Sequence, residues 1–488
     1  MNGSATPQSG VGSHRVHAAA GSGAPTSGSD TPSPDSGAPT PDRLNVPEVA
    51  SGSRRSAGAG PSTGSAPSQQ GAIESDVIVV GAGPGGSAAA TYLARSGLHV
   101  SLLEKTKFPR EKVCGDGLTP RGTKQLIKLG IDISQENGWA HQRGLRFWAG
   151  GRHWDLDWPD LTDWPGFGVT RQRADFDQLL ANNAVAAGAK LYELANVTEP
   201  IIDPVTDRIA GVITKDGRRF TAPLVVAADG NSTRISIAMG INRRENLPMG
   251  VAVRTYYKSP LHNSPYIESW PELWDGKPGE SNLLPGYGWI FPLGDGTCNV
   301  GLGILNTSKA FGKVDYRQML KVWMDNTPQE WGFRDENQVG RVLGAALPMA
   351  FNRTPHYSRG LLLIGDAGGM VSPFNGEGIP YAMESAEMAA NAIAEAHYRG
   401  VGTPSAEKAL QGYPAVLRET WGGYYTLGRV FTKIIGQPAL MKVAVKYGLP
   451  RKVVMQFTLK MLSNLTDHRD GDIYDRIVNG LSKIAPAS

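Results

Sequence analysis

Cysteine is almost missing from this chain. Only Cys114 and Cys298 occur among 488 residues, which excludes a disulfide framework and a cysteine-rich metal site and fits a reducing compartment. No His/Cys/Asp spacing has a metal-binding pattern, so no metal is expected. Runs of roughly 18 apolar residues, the length of a membrane-spanning helix, are also lacking. The expectation is a cytoplasmic protein, soluble or peripheral on the inner face of the cell membrane. The formal net charge of +4 is too small a bias to argue for nucleic acid as a partner.

Two regional absences add to this. Residues 1–72 contain no Phe, Trp, Tyr, Ile or Cys and are dominated by Gly, Ser, Pro, Ala and Thr. That composition cannot bury enough apolar surface to offset chain entropy, so a disordered arm is expected. Arg54-Arg55 is followed by small residues rather than an apolar core, so the arm does not read as a secretion signal. A flexible tether and a misassigned start codon explain it equally well. From Thr420 to Thr466 there is no Asp or Glu, while Arg429, Lys433, Lys442, Lys446, Arg451, Lys452 and Lys460 alternate with Phe431, Ile434, Ile435, Leu440, Met441, Val443, Val453, Val454 and Phe457. Basic amphipathic helices resting on an anionic leaflet account for this pattern, and so does a solvated face over an ordinary core.

What is present begins with Asp76-Val-Ile-Val-Val80, a short β-branched run of buried-strand type, followed by Gly81-Ala-Gly-Pro-Gly-Gly86. Gly81 and Gly83 permit a tight turn and close approach of a pyrophosphate, and Gly86 lets the helix from Ser87 pack on the strand. The helix N-terminus offers free N–H groups to phosphate. A second apolar run, Val100 to Leu103, ends in Glu104, about twenty residues beyond the glycines, where an acid binds a ribose hydroxyl. This spacing suits an adenine dinucleotide. A similar glycine pattern, Gly58 to Gly64, has no strand before it and is dismissed.

Farther along, helical signals resume at Thr119-Pro120, and Leu145 to Trp158 alternates around Gly150-Gly151 as a hairpin would. Asp175 to Ala187 has helical periodicity. The next clear strand is Leu224 to Ala228, running into Asp229-Gly230. Strand-like runs follow at Gly250 to Tyr257 and Cys298 to Leu305. A last strand, Leu361 to Ile364, delivers Gly365-Asp366-Ala367 and then Pro373 and Gly376-Glu-Gly378. The dinucleotide domain is therefore expected to be discontinuous, with a second sheet inserted into it.

In this order, the glycine turn, Ala228-Asp229-Gly230 and Gly365-Asp366-Ala367 with its Pro/Gly continuation resemble the flavoprotein hydroxylase superfamily over residues 74 to about 400. Two further segments, Phe108-Pro-Arg-Glu-Lys-Val-Cys-Gly-Asp-Gly-Leu-Thr-Pro120 and Pro285-Gly-Tyr-Gly-Trp-Ile-Phe-Pro292, resemble the geranylgeranyl reductase family, in look nearest its menaquinone side-chain reductases. The resemblance implies an α/β fold: a Rossmann-like FAD-binding domain (73–140, 171–249 and 352–400) interleaved with a mixed β-sheet substrate domain (141–170 and 250–351), then a helical C-terminal region (401–488). It also implies saturation of C=C bonds in an isoprenoid chain, with a prenyl quinone as first substrate.

By the same resemblance Arg173 contacts FAD, with Arg171 close enough to be the counterpart instead; Asp366 binds the ribityl chain, and Gly376 and Gly378 let backbone approach the isoalloxazine edge. Asp229 is a cofactor-proximal turn residue or a plain helix cap. The superfamily's following Ser and Arg are shortened here to Asn231-Ser-Thr-Arg234.

Reducing an unpolarised alkene pairs hydride delivery with protonation, and calls for a dry apolar tunnel, a proton donor and aromatic faces that stabilise positive charge. Tyr287, Trp289 and Phe291, spaced by two, project to one face of a strand and can line such a tunnel. Cys114 and Asp116 are the donor candidates; a free cysteine is also a common buried hydrophobe. The electron donor stays open, since no second dinucleotide fingerprint occurs. Two rival readings remain: an FAD monooxygenase or halogenase of the same fold, and a non-catalytic prenyl-lipid carrier. The halogenase pattern Trp-x-Trp-x-Ile-Pro is departed from at Tyr287 and Phe291.

Overall fold

A computed structural model describes residues 71–435, 451–467 and 471–485. The arm up to residue 70, and residues 436–450 of the basic stretch, lie outside the described residues.

Two sheets organise these residues. In the first, Leu361–Leu363, Leu224–Ala227, Val77–Val80, Val100–Leu103 and Lys190–Tyr192 run parallel in that order, and Tyr357–Ser358 adds an antiparallel edge. Parallel strands need both faces covered, and successive side chains point to opposite faces. Val77 and Val79 accordingly join a core with the Pro84–Arg95, Arg173–Ala186 and Ile379–Tyr398 helices. Ile78 and Val80 pack on the other side, against Val197, Ile209, Val212 and Phe220 of a four-stranded sheet. Four strands, Lys190–Tyr192, Val197–Ile202, Ile209–Thr214 and Arg219–Thr221, precede the one that sequence pattern first detects at Leu224. They are short, and Lys190, Glu199 and Arg219 are exposed, which breaks up the apolar signal.

The second sheet has seven strands in the order Gln338–Pro348, Met249–Lys258, Thr297–Leu305, Tyr287–Pro292, Tyr266–Trp270, Gly144–Ala149 and Arg152–Asp157. All neighbours are antiparallel except Tyr266–Trp270 with Gly144–Ala149. The Tyr316–Asp325 helix covers one face, where Leu320, Trp323 and Met324 pack with Ile290, Val300 and Leu302. Tyr287, Trp289 and Phe291 alternate with Ile290 and point the other way. Ala140–Gln142 and Gly168–Thr170 do not enter this sheet; Gly168–Thr170 is the middle strand of a separate three-stranded one, flanked by Gly117–Leu118 and Ala140–Gln142.

The C-terminal helices are Pro404–Leu417, Gly423–Ile435, Lys452–Ser463 and Ile473–Ile484. Trp421 and Tyr425 meet Phe351 and Tyr381, and Phe431 packs at a tilt against Phe374 with ring centroids 5.1 Å apart. Lys460 does not belong to a basic face: it is buried, and its ammonium donates to Asp472 and Asp475, each at 2.8 Å. Acids beyond the acid-free stretch fold back to neutralise it.

The two large sheets are joined by a loop that ends in Asp116. This residue is fully buried and has a φ of +65, a conformation that Asp tolerates better than most side chains. Its carboxylate accepts from Tyr256 Oη at 2.8 Å, Asn299 Nδ2 at 2.7 Å and the Arg173 backbone N–H at 3.2 Å. Tyr256 and Asn299 are direct cross-strand partners in the second sheet, whereas Arg173 opens a helix of the first. Close by, a buried ionic chain runs from Glu104 through Arg110 to Asp177 and Arg173, with Arg110 at 3.2 Å from Glu104 and 2.8 Å from Asp177, and Arg173 at 2.6 Å from Asp177.

Removing Asp177 would leave two guanidinium groups buried with too few acceptors. Asp177→Ala is expected to cost about 3–5 kcal/mol, read as a lower urea midpoint. Burial, partly offset by the Asn299 and Tyr256 bonds, pushes the Asp116 carboxyl up to about 6 from its ordinary 3.8. A raised carboxyl pKa contributes stability in full below the ordinary value and loses it as pH rises through the folded one. The stability of the wild type relative to Asp116→Asn should therefore fall between pH 4 and pH 7, by about 2 kcal/mol. Urea unfolding of both proteins at the two pH values checks this.

Candidate active site

A cavity of about 1380 Å³ lies between the ends of the parallel strands and the inner face of the seven-stranded sheet. It exceeds the roughly 300–1,000 Å³ of a usual small-molecule pocket. One end is polar and backbone-lined, and the other is apolar.

At the polar end, Val77–Val80 runs into the glycine turn and the Pro84–Arg95 helix, which starts with proline at its first position. A Cβ on Gly86 would overlap the Gly81 carbonyl oxygen, so this crossing of turn and helix accepts only glycine. Gly83 faces open space, with Arg110 its nearest side chain, 3.8 Å from where a Cβ would stand. Glu104 lines the same space and accepts from the Ala82 N–H at 3.1 Å as well as from Arg110. Asp229 and Gly230 follow the neighbouring strand. Asp229 caps the Arg234 N–H at 3.1 Å through one oxygen, while the other is buried without a partner. Lys112 reaches to 4.0 Å from a Cβ built on Gly230; burial lowers its pKa, opposed by Asp366. Asp366 lines the cavity beside Gly365, Gly376 and Gly378. Burial raises its pKa, and Lys112 pulls the other way.

These features fit FAD. An open glycine turn at a helix N-terminus with a guanidinium and an ammonium nearby suits a pyrophosphate. Asp229 presents a buried unpartnered oxygen and Asp366 a carboxylate on the cavity wall, acceptors of the kind that ribose and ribityl hydroxyls require.

Of the two candidate arginines, Arg173 lines the cavity and is buried. Arg171 turns away, bonded to Asp175 and to the Asn137 carbonyl. Cys114 lines the cavity beside Arg173, and burial pushes its thiol pKa up. Asp116, two residues on, is not on the cavity wall; its oxygens are engaged in the joint between the sheets.

The apolar end is walled by the aromatic row. Tyr287 and Trp289 have ring centroids 6.4 Å apart, and Trp289 and Phe291 6.3 Å. Room for the rings comes from the next strand, where Gly303 faces Tyr287 and Gly301 faces Trp289; a Cβ on Gly301 would overlap the indole. Trp289 Nε1 donates to Asn299 Oδ1 at 2.9 Å, and Asn299 also holds the Cys114 carbonyl at 2.8 Å. Phe291 rests on the Cys114 loop, 2.9 Å from a Cβ placed on Gly115, and the Tyr287 hydroxyl is 2.8 Å from one placed on Gly376. The row thus spans the two loops that bound the cofactor end. Leu145, Phe147, Ile267, Leu347, Phe431 and Met455 complete the apolar wall.

Sequence reading missed Arg110, Lys112 and Glu377, all on the cavity wall. Each stands inside a motif it had singled out, as cations just past the strand-end acid and as an acid between two glycines. Tyr256 and Asn299 gave no local signal, because they meet Asp116 only once their strands pair.

A model of the FAD binding domain matches residues 74–270. The chain is 32% identical to a menaquinone reductase of Mycolicibacterium smegmatis, over 82% of this chain and 94% of that one. It is 31% identical to a digeranylgeranylglycerophospholipid reductase of Methanocella arvoryzae, over 74% and 88%. Its fold matches a geranylgeranyl bacteriochlorophyll reductase-like protein of Thermoplasma acidophilum with a TM-score of 0.64 at 21% identity, over 85% and 97%. The glycine turn, the Cys114 loop and the aromatic row therefore stand in a chain that belongs to the geranylgeranyl reductase family of FAD-dependent oxidoreductases.

Proposed function

We propose that this protein saturates a C=C bond in the isoprenoid chain of a membrane lipid, with the side chain of a prenyl quinone such as menaquinone as its first substrate. The observation that carries this reading is the aromatic row, which joins the cofactor end of the cavity to an end lined by apolar side chains.

FAD, when bound and reduced, supplies the hydride equivalent. The chain's own residues do the rest. Gly81, Gly83, Gly86, Glu104, Arg173, Asp229, Gly365, Asp366, Gly376 and Gly378 hold the cofactor, joined by Arg110 and Lys112 near the turn. The apolar wall excludes water, so a developing positive charge is not quenched by addition of water. Tyr287, Trp289 and Phe291 offer π-faces to that charge. A proton must come from the wall. Cys114 is on it; Asp116 is not, and we assign Asp116 to positioning the Cys114 loop. The FAD site occupies residues 73–140, 171–249 and 352–400 in this reading, and the substrate wall comes chiefly from 141–170 and 250–351.

A substrate of this kind must enter from a bilayer. Phe431, Val454, Met455 and Met461 place the last helices at the cavity, and the neighbouring Val430 and Val453 are 53% and 54% exposed. Lys433 is exposed on the first of these helices, and Arg451 is exposed at the N-cap of the second. We propose that this rim rests on an anionic leaflet.

With FAD, a chemical reductant and menaquinone, the protein should yield a product two mass units heavier. A carrier would bind the quinone and leave its mass unchanged, and a monooxygenase would add oxygen. Trp289→Ala should lower turnover roughly tenfold or more through loss of a cation–π contact of about 2 kcal/mol, with flavin absorbance retained. Lys433→Glu combined with Arg451→Glu should weaken sedimentation with phosphatidylglycerol vesicles at least about thirtyfold, at about 1 kcal/mol per charge removed, and leave the weak binding to phosphatidylcholine unchanged.

A further inference from the structure

Three groups able to carry a proton line the cavity near the junction of its polar and apolar ends: the Cys114 thiol, the Tyr287 hydroxyl and the Glu377 carboxyl. The first two are weak acids made weaker by burial, which pushes Tyr287 up to about 12 and raises Cys114. An isolated alkene is a very poor base, so the strength of the donor matters. Glu377 stands between the two loop glycines. Gly376 lies against the Tyr287 hydroxyl, and Gly378 is 3.5 Å, from a built Cβ, to an Asp366 oxygen.

The carboxyl is held at one oxygen and loose at the other. Oε1 accepts from the Thr119 N–H at 3.2 Å and from Thr119 Oγ1 at 2.9 Å, whereas Oε2 has only the Asn375 amide, at 3.5 Å. An anchored oxygen fixes the group, and the weakly held one is where a proton can sit and leave. Burial raises its pKa, opposed by the Thr119 bonds and by Arg121, so the protonated form gains population toward neutral pH.

Resting on the reductase reading above, we propose that Glu377 is the catalytic acid that protonates the alkene. The Oε2–H bond breaks and its proton joins one alkene carbon through the π pair; the other carbon accepts hydride from the reduced flavin. The carboxylate is then reprotonated from solvent; bound FAD would supply the hydride and would take two electrons back from a dithionite- or nicotinamide-class reductant. Thr119 positions the acid without donating to substrate.

The test compares Glu377→Gln with Thr119→Val and the wild type, each loaded with FAD and reduced with dithionite. Gln retains the oxygen that Thr119 holds and lacks the acidic proton. Glu377→Gln should bind FAD with an unchanged absorbance spectrum and reduce menaquinone roughly 10²- to 10⁴-fold more slowly at saturation, with KM little altered. Glu377→Asp should recover part of the rate, and Thr119→Val should lose less than Glu377→Gln. Infrared difference spectra provide a readout apart from turnover: a protonated-carboxyl band that shifts in D2O should vanish in Glu377→Gln. Near-normal turnover by Glu377→Gln, or loss in Cys114→Ser alone, would overturn the proposal while leaving the reductase reading intact. A wild type that never saturates the chain, yet shows the carboxyl band, would overturn the reductase reading and with it the catalytic role.

Discussion

A single buried carboxylate holds the architecture of this site together. Asp116 accepts from Tyr256 and Asn299 of the seven-stranded sheet and from the backbone of Arg173 beside the parallel sheet. An ionised group in that position is stable only while its bonds are made, because the low dielectric that strengthens them also penalises a missing one. The distance between the sheets is thereby set at the point where the cavity changes from polar to apolar. Asn299 extends the arrangement: the same side chain holds Asp116, the Cys114 carbonyl and the Trp289 indole. Cofactor loop and substrate wall are consequently one hydrogen-bonded unit.

The two ends of the cavity follow opposite rules. At the cofactor end, charge is concentrated and mutually neutralised through the Glu104, Arg110, Asp177 and Arg173 chain, with Lys112 and Asp366 close enough to favour each other's charged form. Such a region welcomes a ligand with phosphates and hydroxyls. At the other end the wall is built from rings lodged over glycines, where Gly301 and Gly303 leave space that any side chain would fill. A chain with no polar group gains there by leaving water, at about 25 cal/mol per Å² of buried apolar surface.

Sequence reading went farthest where the signal was local. The strand at Val77, the turn at Gly81 to Gly86 and the helix after it are adjacent in the chain, so spacing alone reports their geometry. The aromatic row was visible for the same reason, since alternate residues of a strand share a face. Asp116 and Glu377 show where this fails. Both are acids within glycine-flanked motifs, yet one is drawn into the joint between sheets and the other stays on the cavity wall. Lys460 is a similar case, its partners Asp472 and Asp475 lying on the next helix.

What the sequence determined by itself was the dinucleotide fingerprint, the sparse use of cysteine, and the presence of a strand carrying three aromatic residues on one side. Each depends on neighbours in the chain or on composition. Tertiary structure alone decided which charges face the cavity and which are neutralised away from it. The reason is physical: burial and ion pairing are set by partners such as Tyr256, Asn299 and Asp177, which come from distant strands and helices and meet only when the sheets close on one another.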